Sequence, residues 1–379
     1  MKFTCEKNLF YEAVTSASKA CALKSALNIL DGVLLTLAEN TLTITGYDLE
    51  IGIKVSLDVN GTQGGAVVTD PRLLSEMVKK LSGSHFDFTL NENKTIKITS
   101  GKSKLNLPCK LGEEFPNIIE LKKETSFEIS EKLLKEMLLK VGFAVSRTNQ
   151  ELECIKLEIE NDIFFAVATD GNRLAAKHCD TSKIKFTEGE HEKANIILPD
   201  KAVASLIRSL SDDDEAKVKI SVDKNQICIL KQNYILISRL LEGKFVNYKR
   251  IIEGEFPKAL TVDVRELILS MERCLLLMSD KLRMPVVCSI EDGLMRIECK
   301  TTLGSIDEEI PIEIKEGEFF ESGDSFKINF NPRFMLEALQ KANCDKVRIA
   351  FDESLKPFKI TPIEENGEFI FIIVPIRSS

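Results

Sequence analysis

The sequence predicts an α+β fold made of three similar domains, each with two strand–helix–strands units. Three observations predict it. Amphipathic helical segments introduced by strand-like residues recur at a long, nearly constant spacing. The residues between them alternate apolar and polar with period two, and turn-forming residues separate the alternating runs.

The first helix of each repeat is expected within Phe3 to Ala20, Phe127 to Ser146 and Leu260 to Ser279. The second helices follow Val67-Val68-Thr69-Asp70-Pro71-Arg72, Ile197-Leu198-Pro199-Asp200-Lys201 and Ile328-Asn329-Phe330-Asn331-Pro332-Arg333. Both series recur 124 to 133 residues apart. Solenoid repeats run about 20–50 residues, so this period marks whole domains. Leu133, Leu134, Met137, Leu138 and Val141 show the three- and four-residue spacing of a helix with one buried face.

Strands are expected at Thr41–Thr45, Thr95–Thr99, Lys217–Val222 and Leu294–Cys299. Each places its apolar side chains on one face, as in antiparallel sheets covered on one side. Turns are expected at Asn60-Gly61, Asn91-Glu92-Asn93, Glu291-Asp292-Gly293 and Glu365-Asn366-Gly367. Phe3 to Val68 and Phe127 to Ile197 are half-periods, which makes each domain a duplicated unit. Pro, Gly and charge near Phe115–Lys123 and Ile251–Pro257 mark the joints. The expected domains are 1–122, 123–255 and 256–379. Repeated head-to-tail contacts between such units can close into a ring, which also removes unpaired strand edges.

Of the 379 residues 44% are hydrophobic and 29% charged, the balance of a chain able to bury real cores. The start Met1-Lys2-Phe3-Thr4-Cys5-Glu6 has no apolar core of an export signal, and no apolar run approaches the roughly 20 residues that span a bilayer. The ten cysteines are scattered with no CxxC pair, as expected of reduced, mostly buried thiols. A cytoplasmic protein that does not engage membranes is expected. The formal charge of −8 taken alone disfavours nucleic acid. Its distribution reverses that reading. The six repeat helices with their leading residues and caps carry fourteen Lys or Arg against twelve Asp or Glu, so the acidity lies elsewhere and one shared basic face is expected.

No catalytic constellation emerges. Gly101-Lys102-Ser103 ends like a phosphate loop, but Ile96 stands where the loop requires its first glycine. His85, His178 and His191 are the only histidines, and the adjacent His178 and Cys179 point apart on a strand. Asp212-Asp213-Asp214-Glu215 reads as a solvated acidic loop. No enzyme activity, cofactor or metal is expected; the chain reads as a binding protein.

Several segments, in order along the chain, carry a resemblance. They are Met1-Lys2-Phe3-Thr4, Leu27-Asn28-Ile29-Leu30, Thr45-Gly46-Tyr47-Asp48-Leu49-Glu50, Phe143-Ala144-Val145-Ser146, Val167 to Ala175, Gly243 to Arg250 and Val374-Pro375-Ile376-Arg377. Together they resemble the bacterial sliding-clamp family, the beta subunit of the replicative DNA polymerase. The resemblance implies the DNA-clamp fold: antiparallel sheets outside, helices inside, and a ring of two head-to-tail chains around duplex DNA. It implies sequence-independent DNA binding through Lys24, Arg72, Arg147, Thr148, Lys201 and Arg333. It also implies a pocket for short extended peptides of the polymerase, the clamp loader and repair proteins. The matching positions are Cys154, Thr169, Gly171, Asn172, Arg173, Leu174, Val246, Arg250, Ile251, Ile372, Val374, Pro375, Ile376 and Arg377. Leu105 and Leu107 correspond to positions that pack on Leu276 and Leu277 of a second copy. The chain departs from the family at Glu151-Leu152, Cys154, Lys156 and Val246, which shifts the expected peptide preference; Ser378-Ser379 beyond the usual stop is expected to put the terminal carboxylate farther from the pocket. The alternative is a clamp-like scaffold that binds proteins without encircling DNA.

Overall fold

The computed structural model describes residues 1–22, 25–118, 125–189, 194–278, 285–291, 293–321, 324–363 and 368–377. Among them are seven α-helices: α1 (Lys7–Ala17), α2 (Pro71–Lys79), α3 (Glu131–Val141), α4 (Asp200–Ser209), α5 (Tyr248–Ile252), α6 (Val264–Leu276) and α7 (Pro332–Gln340). Six stand at the repeat positions; the five-residue α5 was not anticipated.

The first helix of each repeat starts later than its expected segment. Phe3, Phe127 and Leu260 lie in the strands Lys2–Glu6, Thr125–Ser130 and Lys258–Asp263, and each helix begins at the next residue. Alternate burial explains this: Phe3 and Cys5, then Phe127 and Ile129, are buried two residues apart, as only a strand allows. Helix starts are set by local chemistry. Asp70 accepts from Leu73 N–H at 2.8 Å, Asp263 from Glu266 N–H at 3.0 Å and Asn331 from Arg333 N–H at 2.9 Å. Each side chain satisfies a backbone donor that has no partner within the helix. Pro71 and Pro332 occupy the first helical turn, where a missing N–H costs nothing.

The expected turn at Asn60-Gly61 is instead the start of strand Asn60–Gln63, which joins Lys2–Glu6 with an irregular register. The Asn91–Asn93 turn is present and is followed by Lys94 at φ 55°. Gly293 sits at φ 73° in its turn. Asp292, Glu365-Asn366-Gly367 and Ser279 lie outside the described residues.

The chain forms two compact units: residues 1–133, 184–191 and 201–242, and residues 134–183, 192–200 and 243–379. The first unit holds a five-stranded sheet and a ten-stranded sheet, the second a sheet of thirteen strands. All strand pairings among the described residues are antiparallel. The sheets run through the repeat boundaries. In the first unit Ile51–Asp58 pairs with Tyr234–Arg239; in the second Arg173–Asp180 pairs with Phe369–Ile373. In the first unit α1 packs on α2 and on the strands Thr41–Tyr47 and Ile51–Asp58. In the second α6 packs on α7 and on the strand Gly304–Glu316. The buried faces follow helical spacing: Leu74 and Val78 in α2, Leu267, Met271 and Cys274 in α6, and Met335, Ala338 and Leu339 in α7.

Candidate functional site

The hairpin turn before strand Arg173–Asp180 organises the expected peptide site. Asp170 Oδ1 accepts from the N–H groups of Asn172 (2.9 Å) and Arg173 (3.0 Å), and Thr169 Oγ1 donates to Arg173 O at 2.6 Å. Gly171 adopts φ 89°, where a side chain would be strained, and its N–H donates to Thr169 Oγ1. This turn fixes Arg173, whose side chain is only 10% exposed. Its Nε donates to Asp170 Oδ2 at 3.0 Å, and its Nη1 to Glu337 of α7. The guanidinium also lies 5.2 Å from the Phe143 ring centre and 4.7 Å from that of Phe334. Arg173 is therefore a brace between the turn and α7 rather than a free polar grip. Sequence reasoning missed Phe334 and Glu337; nothing local marks residues so far along the chain, Glu337 being 164 positions away, as partners.

Leu174 and Ile372 face each other in register and are buried with Val167, Ala176, Tyr248 and Ile252. Half-buried Phe245 and Ile251 pack against this cluster. Beyond Ile373 the strand ends. Val374 N–H donates to Asn172 O at 2.9 Å and Ile376 N–H to Asn329 O at 2.7 Å, which holds the following segment in place. Of the other expected site residues, Val246, Val374, Gly171, Asn172, Arg250 and Arg377 are exposed, and Pro375 and Ile376 are half-buried. Cys154 is fully buried, and burial pushes its thiol up to about 11, so it does not line an exposed surface.

The departure at Lys156 is accommodated internally. Its ammonium lies 2.7 Å from Glu158 and over the rings of Phe245 and Tyr248. Tyr248 Oη donates to Glu158, and Lys249 is paired with Glu158 at 3.1 Å. Burial raises the Glu158 carboxyl, but Lys156, Tyr248 and Lys249 outweigh that and hold it below its ordinary range.

Arg72 and Arg333 occupy corresponding exposed places in the first turns of α2 and α7. Arg147 is 79% exposed and 4.0 Å from Asp200; Thr148 is exposed. Lys201 is exposed but paired with Asp48, which compensates part of its charge. Lys24 lies outside the described residues.

The expected joint residues differ in availability. Leu276 is 80% exposed at the end of α6, an unusual state for so large an apolar side chain. Leu277 is half-buried, its Cδ2 3.5 Å from where a Cβ on Gly304 would lie. Strand Gly304–Glu316 pairs with Leu294–Thr301 along Gly304–Pro311, but with Lys258–Asp263 only from Ile312 onward. One edge of its first half thus has no neighbour among the described residues. Strand Ser103–Pro108 is likewise the outer strand of the five-stranded sheet. Leu105 there is half-buried, whereas Leu107 is 1% exposed opposite Ile96 and belongs to its own core.

Among the described residues no group of three or more His, Cys, Asp or Glu could hold a metal ion, and no helix is long and apolar enough to cross a membrane. Asp214 of the acidic loop pairs with Lys132 at 2.7 Å.

Comparison with known proteins matches almost the whole chain. Family models of the DNA polymerase III beta subunit match in succession: the N-terminal domain at residues 1–119, the central domain at 128–247 and the C-terminal domain at 249–377. The beta sliding clamps of Staphylococcus epidermidis and Staphylococcus aureus are 29% and 28% identical, with all of each chain covered. Among solved structures, the DNA polymerase sliding clamp of Bacillus subtilis superposes with a TM-score of 0.89 at 26% identity, covering 100% of both chains. A putative DNA polymerase III beta subunit of Eubacterium rectale gives 0.91 at 24% identity, covering 99% of both.

Proposed function

Because the chain belongs to the DNA polymerase III beta subunit family, we propose that it is a sliding clamp, a non-catalytic factor that tethers the replicative polymerase to DNA. The observation that carries this reading is the succession of three domain matches along the chain. Its domains are 1–122, 123–255 and 256–379. Two copies join head to tail into a ring in the cytoplasm, with Leu105 and strand Ser103–Pro108 of one copy against Leu276, Leu277 and the free edge of Gly304–Glu309 of the other. Leu107 backs that contact from its own core. A contact between two different surfaces closes only if the rotation allows it, and three domains per chain suit a closed pair.

The repeat helices line the hole. Arg72, Arg147, Thr148 and Arg333, with Lys24 and the partly compensated Lys201, attract phosphates without reading sequence. Closure supplies retention, so individual contacts can be weak and the ring can slide. The acidity outside the helices disfavours DNA on other surfaces. Partner peptides dock on Val246, Val374, Pro375 and Ile376 above Leu174 and Ile372, with Asn172, Arg250 and Arg377 around them. Thr169, Gly171 and Arg173 hold the turn in shape. Polymerase, clamp loader and repair proteins share this surface.

On primed circular single-stranded DNA with polymerase and clamp loader, the chain should lengthen products per binding event at least tenfold. Truncation before Val374 should remove that gain and the binding of a polymerase-derived peptide, while the dimer persists. Product lengths that ignore the intact chain would contradict the reading.

A further inference from the structure

The second helices begin alike, but their basic residues do not share one environment. Arg72, Lys201 and Arg333 are the second residues of α2, α4 and α7, and all three are exposed. Among the described residues, Arg72 and Arg333 have no carboxylate within ion-pair distance. Lys201 does. In the first unit its ammonium donates to Asp48 Oδ2.

Asp48 differs from an ordinary surface acid. It stands in the turn between strands Thr41–Tyr47 and Ile51–Asp58, and its side chain is only 8% exposed. Its Oδ1 accepts from the N–H groups of Glu50 (2.9 Å) and Ile51 (2.7 Å), which fixes the carboxylate and leaves Oδ2 for Lys201. Taking the cation from a nearly buried carboxylate is costly, and salt screens such a pair less than an exposed one. Both effects keep Lys201 on Asp48.

The second unit shows what decides this pairing. Its turn has the same form, with Asp170 Oδ1 accepting from Asn172 and Arg173 N–H. There Oδ2 is taken by Arg173 Nε at 3.0 Å, and the same guanidinium reaches Glu337. In the first unit the residue that donates its N–H from the place of Arg173 is Ile51. An isoleucine cannot pair with a carboxylate. Asp48 therefore keeps a free oxygen for the lysine of α4, whereas Asp170 is satisfied within its own turn and Arg333 of α7 stays free.

We propose that Asp48 is an internal competitor for DNA: its carboxylate holds the Lys201 ammonium back from phosphate. Each chain then attracts duplex DNA through Arg72 and Arg333 more than through Lys201. The proposal rests on the DNA role of the repeat helices. Each phosphate contact withheld weakens the attraction that a sliding ring must repeatedly break and remake.

The test is the salt dependence of binding to a short, open-ended duplex carrying fluorescein, read by anisotropy. Asp48→Asn keeps the oxygen that accepts both N–H groups and removes only the charge, so the turn persists. It should steepen the plot of log affinity against log salt by about 0.9, the share of one phosphate, or about 3.5-fold between 50 and 200 mM salt. Adding Lys201→Gln to that variant should cancel the gain. Arg72→Gln alone should flatten the plot by about 0.9. A gain that survives Lys201→Gln overturns the proposal, because loss of a negative charge would then suffice without release of the lysine. If Asp48→Asn is silent while Arg72→Gln flattens the plot, the proposal alone falls. If the wild type binds no duplex, or both variants are silent, the DNA role of these residues falls with it. Should the far-UV spectrum show that Asp48→Asn is unfolded, Asp48→Ser, which offers the turn a hydroxyl acceptor, takes its place with the same expected outcomes.

Discussion

Replacing Leu276 and Leu277 with aspartate should turn the dimer into monomers, so that light scattering at micromolar concentration gives the mass of one chain. Leu276 is 80% exposed in the single chain and contributes little to its fold. Burying two leucines in a joint is worth about 3–6 kcal/mol, or more than two orders of magnitude in Kd. Two carboxylates in an apolar contact add a desolvation cost of several kcal/mol. The thermal transition of the chain should move little in Leu276→Asp alone. A double variant that keeps the dimer mass would reject the assigned joint.

The largest loss of stability is expected at Glu131, the first residue of α3. Its side chain is 1% exposed, 2.7 Å from the Lys231 ammonium, and accepts from the Ser211 N–H (2.7 Å) and hydroxyl (2.8 Å). Glu131→Ala leaves Lys231 without its carboxylate and Ser211 without an acceptor. Breaking a buried pair costs about 3–5 kcal/mol. Lys231 also donates to Ser209 O and is 18% exposed, which places the expectation near 3 kcal/mol by chemical unfolding. Burial pushes the Glu131 carboxyl up, but Lys231 and both Ser211 donors outweigh it, so the value is lowered on folding. A lowered value means stability present above the unfolded value, about pH 4, and lost as the pH falls through the folded one. The gap between wild type and Glu131→Ala should therefore be constant near neutrality and narrow in acid. A gap that stays constant into strong acid would show that the carboxylate charge is not its source.

The repeat was legible because it is local. Asp70-Pro71 and Asn331-Pro332 are start signals in sequence and capped starts in the structure. The alternating runs Thr95–Thr99 and Lys217–Val222 are strands for the same reason. The extent of the first helices was misjudged because Phe3, Phe127 and Leu260 satisfy both a strand and a helix pattern until burial is known. What the site residues do was less legible. The resemblance puts Arg173 among the peptide-pocket positions, and Phe334 and Glu337, brought to it by α7, make it a brace. Cys154 and Leu107, which the resemblance puts in the pocket and the joint, lie in cores, since a family position does not carry its exposure with it. The departure at Lys156 gives no sign in the sequence of its partners, Glu158 and the rings of Phe245 and Tyr248.

The central claim is that function lies in closure around duplex DNA, and topology tests it most directly. The protein, loaded onto nicked circular DNA and separated from free protein at a salt concentration that removes ordinary electrostatic binding, should remain bound. Cutting the circle once should release it as the ring slides off the ends. Retention unchanged by linearisation, or absent from the circle, would contradict encirclement and leave the protein-binding scaffold as the better account.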